Sequence, residues 1–408
     1  MAQTGNKIDS NITGLAYAEE DSLRVLPPVA DRKWYNLEPN EYDDFGSEIE
    51  TVARDPINPS RQKRKGVVVD LDASGGFSTD LTQTNMQRLM QGFLFADARE
   101  KPGNQSLVRS VGDDAVGGLG ATGAIALTTS TVAATFIPGM LVKVSGAVNN
   151  VNNRVGVVQN VNGAVVTLDN PGGLIAETNA TVKLEVVGFE CSDGAVAVVL
   201  NSGNLQLTNG TDDWTTLGLT PGEWVYIGGD DPTERFNSNA AGFARVHSVT
   251  SDILTLQQVS WTTPTSEAAV AGKTIRVYFG TVIKNEKDPT LIKCRSYQLE
   301  RTLGRDSNGM QSEYLVGAVA NEFKLNLAST DKLMCDLSFV GVDNELRSGS
   351  QGLKDGQHVD PPLEDAFNTS SNVSQLRLYV HDDAAVTPGS LFGFVEEGEV
   401  TILSLIHI

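Results

Sequence analysis

Residues 295–343 alternate apolar and polar side chains in three successive runs, and this pattern constrains the fold more than any other feature of the chain. A period of two over such lengths indicates β-strands with one buried face. Segments rich in turn-forming residues separate the runs, which predicts an antiparallel meander. The apolar phase contains Tyr297 and Leu299, then Val319, Phe323, Leu325 and Leu327, and then Leu333, Cys335, Leu337 and Phe339.

The opposite phase of the same runs is polar. Because the apolar phase supplies the core, the polar phase meets either water or another copy of the chain. It contains Gln298 and Glu300 in the first run, Glu322, Lys324 and Asn326 in the second, and Lys332, Met334, Asp336 and Ser338 in the third.

The composition fits a large β-rich protein. A chain of 408 residues with 40% hydrophobic residues is long enough for two or three domains with real cores. Glycine is abundant at 40 residues and aromatic residues make up only 6%, a mixture typical of many short strands and tight turns. The sequence therefore predicts a mainly β protein.

The formal charge is strongly acidic. With 51 acidic and 31 basic residues, the net charge is -20. Such a surface does not hold nucleic acid by neutralising its phosphates. Two interpretations remain: the acids maintain solubility, or they line a path along which DNA slides without binding.

Residues 1–60 are polar and irregular, with single large apolar side chains between clusters of acids. A segment of this kind buries itself poorly. It is expected either to be partly disordered or to form an arm that becomes ordered against a partner. In the second case Trp34 and Tyr35 are its predicted anchors.

Residues 82–97 carry the one helical pattern. Thr82 is a favourable N-cap, and Leu81 before it is placed to pack on Met86. We expect this helix to cover one face of a sheet. Apolar side chains recur at helical spacing at Met86, Leu89, Met90, Phe93 and Leu94.

The middle of the chain contains an internal repeat. Residues 138–146 resemble residues 221–229, an offset of 221 − 138 = 83, and an asparagine-rich loop follows each copy. Residues 155–169 then parallel residues 243–257. We therefore expect two inserted β repeats, each a small barrel or sandwich of about five strands, at residues 126–188 and 189–281.

Catalytic and metal-binding motifs are not found. The four histidines (His247, His358, His381 and His407) are isolated from further candidate ligands, and no G-x-S-x-G nucleophile motif occurs. A calcium-like loop beginning at Asp70 has Leu81 at the twelfth position, where a bidentate glutamate is needed. The sequence predicts no enzyme activity, no metal and no cofactor.

Two stretches resemble the tail tube (major tail) proteins of long-tailed, siphovirus-like bacteriophages. The first is RQKRKGVVVDLDASGGFSTDLTQTNMQRLMQGFLFADARE at residues 61–100. The second comprises SYQLERTLG, YLVGAVANEFKLNLAS and the strand ending in SFVGVD, all within residues 295–343. The phrase GEWVYIGG before an asparagine-rich loop is similar to β-modules inserted in this family. The resemblance extends from about residue 61 to residue 402.

The resemblance implies a virion structural protein that forms stacked, hexameric rings around the tape measure protein and later around DNA. The tail tube domain would comprise residues 61–125 and 282–402, with the two repeats displayed outside. The face bearing Lys332, Met334, Asp336 and Ser338 would lie at a lumen or subunit contact. Two other functions are alternatives to a tail tube subunit: a secreted or surface β-domain adhesin that binds carbohydrate, and a glycan-active enzyme.

The two ends of the chain carry their own expectations. The first ten residues lack the apolar core of a secretion signal, and no run of about 18 apolar residues occurs, so assembly in a host cytoplasm is expected. The final residues 403–408, LSLIHI, match the translation of a sequencing-library adapter. We interpret them as an artefact that replaces the natural C-terminus after Ile402, and an apolar terminal strand is the alternative.

Overall fold

The computed structural model describes residues 13–54, 64–82, 85–99, 101, 108–111, 123–127, 133–169, 174–177, 182–201, 204–239, 241–257, 259, 264–286, 288–306, 309–327, 331–361, 363–368 and 398–403. These residues form one α-helix, α1 (Gln87–Phe93), and 22 β-strands. The strands are β1 (Gly14–Glu19), β2 (Lys33–Leu37), β3 (Pro39–Arg54), β4 (Arg64–Asp80), β5 (Val108–Val111), β6 (Ala124–Leu127), β7 (Met140–Ser145), β8 (Val155–Asn162), β9 (Val165–Leu168), β10 (Lys183–Glu190), β11 (Val196–Asn201), β12 (Asn204–Asn209), β13 (Trp224–Ile227), β14 (Gly242–Val249), β15 (Ile253–Gln257), β16 (Arg276–Tyr278), β17 (Tyr297–Asp306), β18 (Gly309–Leu327), β19 (Met334–Gly341), β20 (Asp343–Arg347), β21 (Gln357–Val359) and β22 (Gly398–Leu403).

The predicted fold class is confirmed: the protein is mainly β, with antiparallel sheets and a helix packed on one of them. The chain forms two compact units. Among the described residues, unit 2 is Arg99–Val282, and unit 1 contains the parts before and after it. Among these same residues, no helix is long and apolar enough to cross a membrane.

The sheet of unit 1 is organised around β18, which forms hydrogen bonds with four other strands. Its first part pairs with β17 on one side and β20 on the other, and its second part pairs with β22 and β19. The complete order is β21-β2-β1-β17-β18-β19-β4-β3. The predicted meander is present as β17, β18 and β19, and most residues of its two predicted turns lie outside the described residues.

The helix α1 covers the apolar face of this sheet, as predicted, but it is shorter than the predicted range 82–97. It begins after Met86, and the backbone N–H of Thr82 instead donates to Asn85 Oδ1 at 3.1 Å. The predicted N-cap at Thr82 is therefore wrong, because Met86 holds the N-cap position of the helix that forms. The buried apolar stripe keeps its predicted phase, with Leu89 and Phe93 in the core.

A close approach fixes how α1 sits on the sheet. A Cβ atom on Gly92 would lie 2.6 Å from the hydroxyl oxygen of Tyr297, so only glycine fits between the helix and β17. Phe93 packs against Phe323 and Phe339, with ring centroids 5.8 Å and 5.4 Å apart. The sheet and the helix thus share one aromatic core.

The N-terminal residues differ from the expected arm. From Gly14 onward the described residues form β1, β2 and β3, and all three strands belong to the unit 1 sheet. β1 pairs with β17 along its whole length, from Gly14↔Thr302 to Glu19↔Tyr297. Strand pairing satisfies the backbone of a segment whose sparse apolar side chains alone do not form a core.

Unit 2 consists of a 12-stranded sheet with a mirrored strand order. Read inward from its ends, the order is β5-β6-β9-β8-β7-β10 and β11-β12-β15-β14-β13-β16, and the two halves join where β10 pairs with β16. Each half is one copy of the repeat, with six strands rather than about five. The buried side chains of both halves form one continuous core.

The boundary before the repeats lies earlier than expected. The sequence predicts a tail tube segment at residues 61–125, but β5 and β6 belong to unit 2, because β6 pairs with β9 of the first repeat. Arg99 and Val282 also pair through their backbones at 2.8 Å and 3.2 Å. The first and last residues of unit 2 are therefore held together.

A tight turn begins the matching strands of both repeats. The N–H of Met140 donates to the carbonyl of Ile137, and the N–H of Glu223 donates to Thr220 in the second copy. Proline follows the first residue of each turn, and the next residues, Gly139 and Gly222, have φ values of 91° and 97°. This combination is a type II turn, which explains why Pro-Gly is present in both copies.

Each repeat also contains the same asparagine–glutamate contact, which we call the latch. In the first copy, Asn152 Nδ2 donates to the Ile175 carbonyl at 2.8 Å and to Glu177 Oε1 at 2.9 Å. In the second, Asn239 Nδ2 donates to the Thr265 carbonyl at 3.0 Å and to Glu267 at 3.2 Å. The asparagines come from the loops noted in the sequence. The glutamates were not identified there, because they lie outside the aligned segments.

Candidate subunit-contact surface

One face of the unit 1 sheet is polar across five neighbouring strands. In the pairing registers, Thr401, Lys324, Asp336, Ser78 and Glu41 form one row across β22, β18, β19, β4 and β3. The alternate residues of the same strands, such as Phe323, Leu337 and Phe77, face the core beneath α1. We call the polar side the polar sheet face.

Acids outnumber bases on this face. Asn326 and Lys324 are the neighbours of two of these acids: Asn326 Nδ2 donates to Asp336 Oδ2 at 2.8 Å, and Lys324 Nζ lies 3.4 Å from Glu322 Oε1. Lys324 is paired with Glu322 and Lys332 with Asp80, and the other three acids of the face have no basic partner among the described residues, so the face as a whole is negative. The acidic side chains in its registered rows are Glu41, Asp80, Glu322, Asp336 and Glu399.

The predicted contact residues of the third run share this location. Met334, Asp336 and Ser338 are half-buried on β19 and alternate with the buried Cys335 and Leu337. Lys332 precedes the strand, and its ammonium lies 2.7 Å from Asp80 Oδ1. Asp80 is paired with Met334, so the ion pair lies at the margin of the polar sheet face. Their role in subunit contact stays a prediction.

The polar residues of the first run, in β17, are not exposed as expected. Gln298 and Glu300 are the polar residues of β17, yet each is only 2% exposed. Their side of the sheet is covered by other residues of the same chain. Gln298 Nε2 donates to Glu20 Oε1 at 2.9 Å, and Lys354 Nζ donates to Gln298 Oε1 at 2.8 Å. This part of the polar phase therefore meets its own chain rather than water or a second copy.

Glu300 is a buried acid with polar neighbours. Its carboxylate accepts a hydrogen bond from the hydroxyl of Tyr314, and His358 Nε2 lies 3.9 Å from its other oxygen. Burial raises the pKa of Glu300, although the Tyr314 hydrogen bond and nearby cations counteract the effect. A cavity of about 360 Å³ opens beside Glu300 and His358.

The predicted anchors of the N-terminal arm are used inside the chain. Trp34 is fully buried with Ala16, Ala18 and Tyr314 on the second face of the sheet, which corrects the prediction that it anchors on a partner. Tyr35 is half-buried, and the guanidinium of Arg88 lies 4.6 Å from the centre of its ring. A side chain buried in its own subunit has no surface left for another subunit.

The hairpin of β3 and β4 extends beyond the rest of the sheet. Its pairing continues to Arg54↔Arg64, whereas β19 pairs only with Ala73–Asp80 of β4. Near the hairpin end, Val52 is 56% exposed and Val67 is 50% exposed. Exposed apolar side chains on a two-stranded extension are typical of a segment that becomes covered on assembly.

The phage tail tube protein family matches residues 10–403, which is almost the whole chain. The chain belongs to this family. As a tail tube protein it is a structural component of a virion tail, and the family implies assembly with itself and with other tail proteins. None of the curated proteins gives a significant match. Within the described residues of this tail tube protein, His, Cys, Asp and Glu side chains do not gather in groups able to hold a metal ion.

Most of the acidic side chains on the polar sheet face were missed by sequence reasoning. Asp80 and Glu41 lie far from the meander in sequence, and only the antiparallel pairing of β19 with β4 and β4 with β3 brings them beside Asp336. The sequence contains little indication that Asp80 and Glu41 belong to this face. Single acids in strands without a regular alternation are ordinary surface residues.

Proposed function

We propose that this tail tube protein assembles into hexameric rings that stack into a tube, with the polar sheet face lining the lumen. The observation that supports this most is the acidic character of a five-strand face whose other side is a core covered by α1. Carboxylates along a channel repel phosphates, so DNA passes through without being held.

Ring formation would also remove exposed strand edges. Among the described residues, the outer edges of β3 and β22 end the sheet on this side of unit 1. Unpaired edges are liable to aggregate unless another strand covers them. In a closed ring, edge strands of neighbouring subunits pair and form a continuous barrel.

Stacking of successive rings is assigned to the end of the β3–β4 hairpin. Val52 and Val67 supply an apolar contact there, in place of the buried Trp34. The partners are further copies of this chain, the tape measure protein that fills the lumen during assembly, and DNA during ejection. Assembly takes place in the host cytoplasm.

Electron microscopy of the purified full-length protein tests this function. We expect rings or tubes with a central hole, and a persistently monomeric protein would contradict the proposal. The lining of the lumen is tested in a Cys294→Ser background, which removes the exposed cysteine. Asp336→Cys labelled with gold should place density on the tube axis, whereas Val155→Cys on unit 2 should place it outside.

A further inference from the structure

The outer face of β13, β14 and β16 in the second repeat carries a cluster of aromatic side chains. Trp224 is 53% exposed and Phe243 is 54% exposed, although Trp34 and Trp214 are fully buried. Tyr226 connects the cluster, with its ring centroid 5.0 Å from Phe243 and 6.3 Å from Tyr278. In a chain with only 6% aromatic residues, this concentration on one exposed face is unusual.

Two arginines lie on the same face in different electrostatic states. Arg276 is neutralised, because its Nε and Nη1 atoms lie 2.7 Å from Glu190 and 2.7 Å from Glu234. Arg245 is the strand partner of Trp224 and forms no ion pair with any described residue. Among the described residues, the guanidinium of Arg245 thus has no counter-charge, and it belongs to the strand partner of the exposed Trp224.

The fold does not require this cluster. In the first repeat, Leu141 and Lys143 hold the positions of Trp224 and Tyr226, and Val155 holds that of Phe243. The first repeat has the same strand order without these rings. The aromatic side chains are therefore an addition to the second repeat that its sheet and its turn do not require.

We propose that this face, consisting of Trp224, Tyr226, Phe243, Arg245 and Tyr278, binds a saccharide that carries isolated carboxylates. Exposed rings on a sheet present flat apolar surfaces on which the C–H faces of hexopyranoses stack. The guanidinium of Arg245 donates hydrogen bonds to a carboxylate in a planar, bidentate geometry.

The charges of the protein distinguish between densely charged, sparsely charged and neutral polymers as ligands. A densely charged polymer such as nucleic acid or heparin is repelled by a chain of net charge -20. One free guanidinium nevertheless favours a ligand with a local acid over an entirely neutral one. A polymer of alternating neutral and acidic sugars, with one carboxylate for every two rings, satisfies both conditions.

The experiment measures binding of the full chain to three probes by calorimetry and by quenching of tryptophan fluorescence. The probes are a hyaluronan hexasaccharide, the uncharged chitin hexasaccharide, and heparin. We expect hyaluronan to bind best, the chitin oligomer to bind more weakly, and heparin not to bind. Trp224→Ala and Phe243→Ala should each weaken hyaluronan binding by about 10- to 100-fold, because each removes an aromatic surface that the bound sugar would cover.

Matched variants separate the contributions. Arg245→Gln should reduce the preference for hyaluronan over the chitin oligomer, and Val155→Ala, the equivalent position in the first repeat, should leave binding unchanged. Absence of binding to both hexasaccharides at millimolar concentration, or strongest binding to heparin, overturns the proposal. So does a change in sedimentation of Trp224→Ala without sugar, which would make the face a contact between copies. Sugar binding is independent of ring formation, so either can fail without the other.

Discussion

The ammonium of Lys101 lies 2.7 Å from Glu223 Oε2, and both side chains are no more than 2% exposed. Lys101 also donates to the carbonyl of Gly218 at 3.0 Å, and Glu223 accepts from the backbone of Thr220 at 2.9 Å. Burial lowers the pKa of Lys101, while the hydrogen bond and charge of Glu223 oppose that shift. This buried pair fastens the first residues of unit 2 to the second repeat.

Breaking the pair from one side should be costly. Glu223→Ala leaves an ammonium buried without its counter-charge, and we expect unit 2 to lose about 3 kcal/mol of stability. Native-state hydrogen exchange of the β13 and β14 amides measures this loss locally.

Replacing both partners should be tolerated. Met140 occupies the position of Glu223 in the first repeat and is buried there. The double variant Lys101→Met with Glu223→Met should therefore stay within about 1 kcal/mol of the natural protein. Equal losses in the single and double variants would show that the pair adds net stability of its own.

The latch of the second repeat should contribute through Asn239, whose side chain is 2% exposed. Asn239→Ala leaves the N–H of Thr265 without its acceptor, Asn239 Oδ1, and should cost about 2 kcal/mol. Ser238→Ala is the matched control, because Ser238 contributes only its backbone N–H to Glu267. Thermal unfolding of the two variants compares them, and equal melting temperatures would contradict a role for the Asn239 side chain.

The latch should also make unit 2 sensitive to acid. Although burial alone raises the pKa of Glu267, hydrogen bonds from Asn237, Ser238 and Asn239 hold that pKa below the ordinary glutamate value. The unfolded chain then binds the proton more tightly, so the contribution is complete above about pH 4.5 and is lost as the pH falls through the lower folded pKa. Glu267→Gln should remove this dependence in unfolding measured from pH 7 to pH 3.

Glu300 should give a pH dependence of the opposite sign. Because burial raises its pKa in the folded protein, the folded state binds the proton more tightly than the unfolded chain. Stability of unit 1 should therefore fall as the pH rises from the ordinary glutamate pKa through the raised one. In Glu300→Gln this decline should be absent from chemical denaturation curves, and a decline of unchanged size would exclude Glu300 as its source.

The phase of β19 is tested by two neighbouring substitutions. Leu337 is 2% exposed, so Leu337→Asp buries an unpaired carboxylate and should cost more than about 3 kcal/mol and prevent ring formation. Ser338→Asp adds the same charge to the polar sheet face and should leave the circular dichroism spectrum and melting temperature nearly unchanged. If Leu337→Asp assembled normally, the assignment of the two faces would be wrong.

The strand phases could be predicted because they depend on local alternation. Cys335, Leu337 and Phe339 are buried as the period of two requires. The coverage of Gln298 and Glu300 could not be predicted, because Lys354 reaches Gln298, and His358 approaches Glu300, only through the tertiary fold. Trp34 shows the same limit: an isolated aromatic residue in a polar segment has no periodic neighbours to indicate its side of the sheet.

The repeat could be recognised from Pro-Gly and the asparagine loops, since each has a fixed local conformation. The mirrored strand order of the repeat could not be predicted from the sequence, because the pairing of β10 with β16 joins residues that are remote in sequence and share no pattern. The polar sheet face depended on pairing in the same way. Local sequence patterns therefore predict the strands and the helix. Long-range hydrogen bonding between strands determines which acids lie together on the polar sheet face.

The backbone pairing of Arg99 with Val282 brings the two ends of unit 2 to one point. A segment whose two ends adjoin can be inserted or deleted at one point of the chain without altering the register of the strands before and after that point. The same junction offers a place where foreign domains of similar end-to-end distance are grafted.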